Sequence, residues 1–429
     1  MIELIKKVLA TYPQVEWTIN EESVSSYELF FVRRLLQMNR AKDVKHYRLS
    51  VYVEQAGFKG TADFAIHPGA KEEEVKRLIE EGVYAASLAK NKTFVLPSPK
   101  KLKLKSRVSN MDEQELSVLA LRIAEAVFKN DTEEKGFLNA TEVFVNRKSL
   151  RVYNSNGIDY SKTSTEGQVE YITTYRGSKE EIELYRFLEF TDFSAARIAA
   201  DVKEQFRIAK YRAEAKEMKN FTNINVVFNA ADIRELMNYY YCMRSNVRNI
   251  YNHSSDWQVG VAVQDLDAKG DKLNLSLNPD QKGSTGNCPF DRLGSSNEKV
   301  EIIKDGKVAA LWGSSIYGQY LGYETKVNTN NVELGLGSLS DEDLEKEPYL
   351  ELLSLSGLQV DDVTGSFGSE IRLALYHEKG KITPYYGSSI NGFLKEVSSS
   401  WQFSQQKVQI NHYHGPKKLL IKGVNIFGK

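Results

Sequence analysis

Residues 300–312 are Val-Glu-Ile-Ile-Lys-Asp-Gly-Lys-Val-Ala-Ala-Leu-Trp. Two runs of strand-forming residues flank Asp305-Gly306, and Asp-Gly is among the strongest local signals for a tight β-hairpin turn, because both positions accept positive φ angles. The segment therefore predicts two antiparallel strands. Lys379-Gly380 lies between two further strand-like runs and predicts a second hairpin. A closing strand is expected over residues 417–424, so the C-terminal part of the chain is predicted to be rich in β-structure.

The N-terminal part combines strand patterns with long helical patterns. Period-two alternation predicts strands over 46–54 and 61–66, with a hairpin turn at 57–60. Helical periodicity predicts helices over 1–11, 72–90, 112–129 and 194–216. Four further strands are expected at 141–146, 149–153, 168–175 and 183–190, with turns at 146–148 and at Asn156-Gly157. Strands and helices segregated in this way favour an α+β fold over a doubly wound sheet.

The pattern changes near residue 220. A short strand at 225–228 leads into a helix from Ala230 to about Arg244, and the β-rich part follows. A chain of 429 residues with 41% apolar residues is long enough for two domains with cores of their own. We therefore predict an N-terminal α+β domain over 1–220 and a C-terminal β-rich domain over 221–429.

The charge balance argues against nucleic acid as the main partner, although it leaves room for a local basic patch. Lys and Arg number 57, Asp and Glu also number 57, and the formal net charge is zero. Nucleic-acid binders usually carry a basic excess, so no nucleic-acid partner is expected. The first seven residues mix acidic and basic side chains, unlike a secretory signal, and the uncharged stretch 308–323 is too short and polar to span a bilayer. The prediction is a cytoplasmic protein without a membrane segment.

Few residues are candidates for metal binding or nucleophilic catalysis. The six histidines include no pair spaced for a helical His-Glu-x-x-His zinc site. His412 and His414 would share one face of a strand, which makes them weak candidates for a metal site, although two surface imidazoles are the simpler interpretation. Cys242 and Cys288 cannot form a disulfide framework, and a thiol nucleophile would need a nearby His base. No cofactor is predicted.

Several runs resemble one known family. They are Ser284-Thr-Gly-Asn-Cys-Pro-Phe-Asp-Arg-Leu-Gly294, Val363-Thr-Gly-Ser-Phe-Gly368 and Gly380-Lys-Ile-Thr-Pro-Tyr-Tyr-Gly-Ser-Ser-Ile-Asn-Gly392. Their order resembles the TldD/PmbA family of metallopeptidase-related proteins, which are also described as modulators of DNA gyrase. N-terminal elements such as Glu28-Leu-Phe-Phe-Val32 look like the same family, so the resemblance spans nearly the whole chain.

The resemblance implies a two-domain α+β fold and subunits that pair. In such pairs a TldD-type catalytic subunit holds zinc through a helical His-Glu-x-x-x-His motif and a later Cys, and a PmbA-type partner lacks that motif. An extended peptide substrate is held in an internal cavity. Here the motif would fall on Leu236, Met237 and Tyr241, and the C-terminal segment has no Cys. The resemblance therefore implies a PmbA-type pseudo-enzyme that lacks its own zinc site and pairs with a TldD-type subunit or with itself as a dimer.

Two alternatives remain open. One is an active metallopeptidase with a non-standard site that uses His412, His414 or Cys288. The other is a protein-binding regulator of DNA gyrase.

For the PmbA-type role, two uncharged runs rich in Gly and Ser, 313–322 and 387–392, are expected to form strand edges that pair with the peptide. The candidates for this peptide path are Ser315, Tyr317 and Ser389. Glycines that only turn the chain are the simpler alternative. The aromatic side chains of 312–320 are expected to contribute to a dimer interface, because interfaces favour Tyr and Trp.

Overall fold

A computed structural model describes residues 1–131, 134–178, 180–265 and 267–427 of the chain. Within these ranges the α+β prediction is confirmed, because three sheets pack against helices that are segregated along the chain. No helix in the described ranges is long and apolar enough to cross a lipid bilayer.

The N-terminal half contains one antiparallel sheet. Its strands are β1 Val15–Val32, β2 Leu35–Gln55, β3 Phe58–Ile66, β4 Gly136–Asn154, β5 Asp159–Arg176 and β6 Glu181–Phe190. They lie in the order β3-β2-β1-β4-β5-β6. The helices of this half are α1 Ile2–Leu9, α2 Glu72–Leu88, α3 Leu116–Phe128 and α4 Ala195–Glu214. All four predicted helices are confirmed, and each buries an apolar stripe of the kind that helical periodicity indicates.

Two predicted turns of this half are placed differently by the structure. The turn expected at 146–148 is wrong, because β4 continues through it and pairs with β5. The Lys148 Nζ bonds the Glu166 Oε2 at 2.5 Å across this pair, so polar residues that suggested a turn are satisfied within the sheet. The hairpin between β2 and β3 turns at Ala56-Gly57, with φ angles of 51° and 79°, and residues 58–60 already belong to β3.

The C-terminal half contains two sheets. Its strands, counted with the short β7 that precedes residue 220, are β7 Lys216–Glu217, β8 Phe221–Asn229, β9 Leu275–Leu277, β10 Val300–Lys304, β11 Lys307–Val308, β12 Val332–Leu334, β13 Tyr349–Val360, β14 Ser366–Glu378, β15 Lys381–Tyr386, β16 Ser389–Phe393, β17 Gln402–Phe403, β18 Lys407–Ile410, β19 Tyr413–Pro416 and β20 Lys418–Ile426. One sheet has the order β11-β10-β9-β12-β19-β18. The other has the order β17-β20-β8-β13-β14-β15-β7, and β16 also pairs with β14. Both predicted hairpins are confirmed, with positive φ at Asp305-Gly306 and at Lys379-Gly380.

The helices of this half are short: α5 Ala230–Asn238, α6 Val247–Tyr251, α7 Ser315–Tyr320, α8 Asp341–Glu345 and α9 Leu394–Val397, with a π-helix at Tyr239–Arg244 and a 3₁₀ turn at Ser398–Ser400. The Asn229 side chain begins α5 by accepting bonds from the backbone N–H groups of Ala231 and Asp232. The buried face of α5 lies in one large apolar core that side chains of both C-terminal sheets share.

The two halves contact each other directly. Strand β7, at the end of the N-terminal half, pairs in parallel with β15. Arg292 forms an ion pair with Glu22 of β1, and Lys103 forms one with Glu298. The division into 1–220 and 221–429 stays a prediction.

Candidate functional site

Helix α5 and the π-helix that follows it occupy the segment where the zinc motif was expected. Leu236 and Met237 are fully buried, and Tyr241 is 3% exposed. All three lie in the large C-terminal core. The Tyr241 hydroxyl donates to the Asn238 Oδ1 at 2.6 Å, and burial raises the pKa of Tyr241 to about 12, so this phenol is protonated at neutral pH.

The residues present do not fit zinc. A catalytic zinc needs three nitrogen, sulfur or oxygen ligands from His, Cys, Asp or Glu and an open position for water. Leu236 offers no donor atom, Met237 offers a thioether, and the hydroxyl of Tyr241 is already bonded. Across the described ranges, no group of three or more His, Cys, Asp and Glu residues is placed to hold a metal ion.

The π-helix gives the end of this helical segment a fixed shape. The predicted extent to about Arg244 is confirmed, but its last residues have π rather than α geometry. The indole Nε1 of Trp312 donates to the Tyr241 carbonyl at 2.5 Å, which satisfies a carbonyl at the irregular turn. Tyr241 is thereby held in the core by its backbone as well as by its ring.

Asp232, in the first turn of α5, gives this helix a pH dependence. Burial raises the pKa of its carboxyl from 3.8 to about 7, with a further contribution from Glu235. Because the folded pKa lies above the unfolded one, the folded state holds the proton longer. Stability therefore falls as the pH rises from about 4 to about 7.

We expect Asp232→Asn to remove this fall and to stabilise the protein at pH 8 by about 2 kcal/mol, less than the full shift because Asp232 as a whole residue is only half-buried. Urea unfolding at pH 4.5 and pH 8 measures it. The matched control is Asp343→Asn in the first turn of α8, where the bond from Lys346 lowers the pKa of the carboxyl. A gain for Asp343→Asn equal to that for Asp232→Asn would contradict the assignment.

His412 lies at the junction of the two halves. Its Nε2 is 2.7 Å from the Oε1 of Glu189 on β6 and 2.9 Å from the Oγ1 of Thr285. Its Nδ1 is 2.8 Å from the Oδ1 of Asn330. Burial raises the pKa of Glu189, but the interactions with His412, Thr285 and Arg234 together outweigh burial, and the pKa lies below its usual value. Both ring nitrogens are therefore engaged by side chains from both halves.

This arrangement suits a structural junction better than general-base catalysis. A general base must accept the proton of a hydroxyl nucleophile through a free ring nitrogen. The His412 Nε2, which faces Thr285, also faces the Glu189 carboxylate, and that carboxylate accepts the hydrogen bond from its N–H. His414 has a different environment, in which burial and Lys407 lower its pKa. The two histidines therefore do not form a joint ligand set.

The two cysteines lie in environments that keep thiols protonated. Burial raises the pKa of Cys288 and of Cys242. The Cys288 Sγ lies 3.3 Å from the Asn297 Nδ2 and 3.8 Å from the Asn328 carbonyl oxygen. A thiolate nucleophile requires a lowered pKa or a base at hydrogen-bonding distance. The contacts found for Cys288 supply neither.

A cleft of about 990 Å³ lies between the halves of the chain. Ser315 lines it, and its Oγ is 3.2 Å from the Ser295 Oγ on the cleft wall. Tyr317 packs against Tyr251, and Ser389 is exposed at the start of β16; neither lines this cleft. Of the three predicted peptide-path residues, the structure therefore brings one to the cleft.

The strand expected over 313–322 is wrong. This run contains helix α7, which begins after Ser314, whose side chain accepts a bond from the Ile316 N–H. The cap explains the difference, because Ser at this position satisfies a free N–H of the first turn. The strand expected in 387–392 is confirmed as β16, which pairs antiparallel with β14.

The aromatic residues of 312–320 pack within the chain. Trp312 is 6% exposed, and Tyr320 contacts both Tyr251 and Phe94 of the N-terminal half. These contacts use the surface that was expected at a dimer interface. The dimer and the place of its interface stay predictions.

Two features were missed by the sequence analysis. The partners of His412 come from three distant segments, and nothing local marks Glu189, Thr285 or Asn330. The other feature was visible in the sequence: residues 100–107 are Lys-Lys-Leu-Lys-Leu-Lys-Ser-Arg. Five cations in eight residues stand out in a chain of zero net charge, but only the structure shows that they line the cleft between the halves and a smaller cavity next to it.

The C-terminal half of the chain matches the model of a known protein family. Residues 222–428 match the PmbA/TldA metallopeptidase C-terminal domain. None of the curated protein sequences with which the chain was compared matches it.

Three solved structures share the fold over essentially the whole chain. TldE from Thermococcus kodakarensis is 17% identical, with 100% of each chain covered and a TM-score of 0.81. A proposed modulator of DNA gyrase from Bacteroides thetaiotaomicron is 16% identical, covering 100% of this chain and 98% of that one, with a TM-score of 0.79. A similarly described protein from Thermotoga maritima is 14% identical, covering 99% of each, with a TM-score of 0.81. At these identities the likeness shows the fold alone.

Proposed function

The chain is a member of the TldD/PmbA family, whose C-terminal domain it carries, and from this premise we propose that it is the PmbA-type, non-catalytic subunit of a peptide-processing complex. Its partner is a TldD-type catalytic subunit, and a homodimer forms when that partner is absent. The substrate is an extended peptide. We place the complex in the cytoplasm.

One observation carries the proposal. In a catalytic chain this helical segment would hold zinc. Here its residues at the motif positions are buried in the core: Leu236 and Met237 are 0% exposed and Tyr241 is 3% exposed. A pseudo-enzyme can use such a helix as a structural element, whereas a metallopeptidase needs the same surface open to water and substrate. Zinc chemistry in the complex would then belong to the partner.

The name TldE supports a role within a TldD/TldE-type pair, because that protein shares this fold over its full length. Two other similar structures are described as proposed modulators of DNA gyrase. A direct contact with gyrase is therefore a second outcome that the same experiment can detect.

We expect the isolated chain to hold no stoichiometric zinc. Co-purification with the TldD-type subunit from the same organism should give a complex with about one zinc per pair, since one subunit of the two supplies ligands. Elemental analysis of both preparations and mass spectrometry of the captured proteins make the measurement. One tightly bound zinc in the isolated chain would revive His412 and His414 as ligands and refute the proposal. Capture of gyrase without a TldD-type chain would favour the regulator.

A further inference from the structure

The basic segment, defined as residues 100–107, lies along the junction of the two halves. Lys100, Lys101 and Lys103 line the large cleft, and Lys105 and Arg107 line a smaller cavity next to it. The cations outnumber the nearby acids: four lysines and three glutamates line the large cleft, and one of these, Glu298, is shared by Lys103 and Lys326. Within the described ranges, Lys100, Lys101 and Lys105 form no ion pair.

Within the basic segment, the side chains of residues 101–105 alternate in exposure. Lys101, Lys103 and Lys105 are exposed, whereas Leu102 and Leu104 between them are half-buried. This is the pattern of an extended chain that packs one face on the protein and presents the other, and the chain bends once, at 103–104. The outward face is therefore a row of cations.

The main chain of the segment has free hydrogen-bonding capacity. Across the described residues, no backbone–backbone hydrogen bond involves residues 92–108. Side chains satisfy the first part of this stretch: Gln319 bonds both the N–H and the carbonyl of Val95, and Tyr160 does the same for Lys100. These bonds hold Val95 and Lys100, the residue that begins the segment, on the cleft wall.

We propose that the basic segment binds an acidic peptide, which begins in the large cleft, continues extended along the segment past the smaller cavity and pairs its main chain with residues 101–108. This deepens the proposed function by naming the class of peptide and the surface that holds it. Added-strand binding takes its affinity from main-chain bonds and its specificity from alternate side chains. Residues opposite each other across paired strands face the same way, so a peptide with Asp or Glu at alternate positions matches the row of lysines.

The test uses the isolated full-length chain. The probe is an end-blocked, fluorescein-labelled peptide of alternating Glu and Val, about ten residues long, the length of a long strand. Fluorescence anisotropy is expected to show binding that weakens when salt is raised from 0.1 M to 1 M, since the screening length falls from about 10 Å to about 3 Å. Matched Ser-Val and Lys-Val peptides are expected not to bind. Equal binding of the Ser-Val peptide would overturn acidic selectivity.

The variant K100Q/K101Q/K105Q removes the three lysines that lack an ion pair. We expect binding about tenfold weaker, the sum of three exposed ion pairs. The matched control is K379Q/K381Q/K422Q, three exposed lysines away from the cleft, with unchanged affinity expected. Parental affinity of the first variant would overturn the assignment of the site.

Two further measurements separate the alternatives. A Glu-Val peptide with every second amide N-methylated has the same charge but fewer donors, and we expect it to bind at least about tenfold more weakly. Equal affinity would refute main-chain pairing. Tighter binding of a short double-stranded DNA in competition would refute a peptide as the occupant.

The peptide-binding proposal rests on the proposed function, but the experiments distinguish the failure of one from the failure of the other. A chain that binds the acidic peptide but captures no TldD-type subunit would refute the subunit role alone. A working complex whose K100Q/K101Q/K105Q variant keeps parental affinity would refute the peptide site alone.

Discussion

The variant L236H/M237E/Y241H, which writes the His-Glu-x-x-x-His motif into α5 and the π-helix, is expected to lose at least about 5 kcal/mol of unfolding free energy and to gain no zinc. Each replaced side chain lies at 0–3% exposure in the main core. An unpaired buried charge costs about 3–5 kcal/mol, and removing apolar packing adds to this. Since whole domains are stable by about 5–15 kcal/mol, the C-terminal half is expected to unfold.

Urea unfolding with and without zinc, followed by elemental analysis, measures both effects. The control L121H/M38E/Y84H makes the same three replacements where the parent side chains are 47–67% exposed, and we expect it to unfold close to the parental midpoint. A folded motif variant that binds one zinc per chain would show that α5 remains accessible and would undermine the pseudo-enzyme role.

Ser315→Trp is expected to reduce peptide processing by the reconstituted pair at least about tenfold while leaving the pair assembled. Ser315 lies on the wall of the cleft, where its Oγ contacts Ser295. An indole in its place would fill space that an extended peptide needs, and a loss of 1.4 kcal/mol in binding is already tenfold. Processing rates and the mass of the complex by light scattering measure the two parts of the prediction.

Ser389→Trp provides the comparison, because Ser389 is exposed on β16 and outside the cleft. If the peptide lies in the cleft, Ser315→Trp blocks processing and Ser389→Trp does not. Loss of activity in Ser389→Trp alone would place the path over β16. Parental rates in both would show that this chain does not line the path, and a scaffold would then be the better description.

The sequence predicted elements whose signals are local. The Asp305-Gly306 and Lys379-Gly380 turns are correct because positive φ is a property of the turn residues themselves. The long helices are correct because an apolar stripe with a period of 3.6 can be seen within one segment. Polar residues gave a wrong turn prediction where a residue distant in sequence satisfies them. The turn expected at 146–148 is part of β4, because Lys148 bonds Glu166 on the neighbouring strand. In 313–322, the Ser314 side chain caps the N-terminus of helix α7, and this run is helical where a strand was expected.

For the candidate site, the sequence by itself determined which groups are present. Leu236, Met237 and Tyr241 cannot supply a zinc site, and this follows from residue identity alone. Only the tertiary structure decided what surrounds each group, because burial, pKa and hydrogen-bond partners depend on segments far apart in the chain. Glu189 and Thr285 reach His412 from separate segments of the chain. Lys100, Lys101 and Lys103 line a cleft only because α7, through Ser315 and Gln319, lines it as well. Distance through space, not along the chain, sets the electrostatics and packing on which both proposals rest.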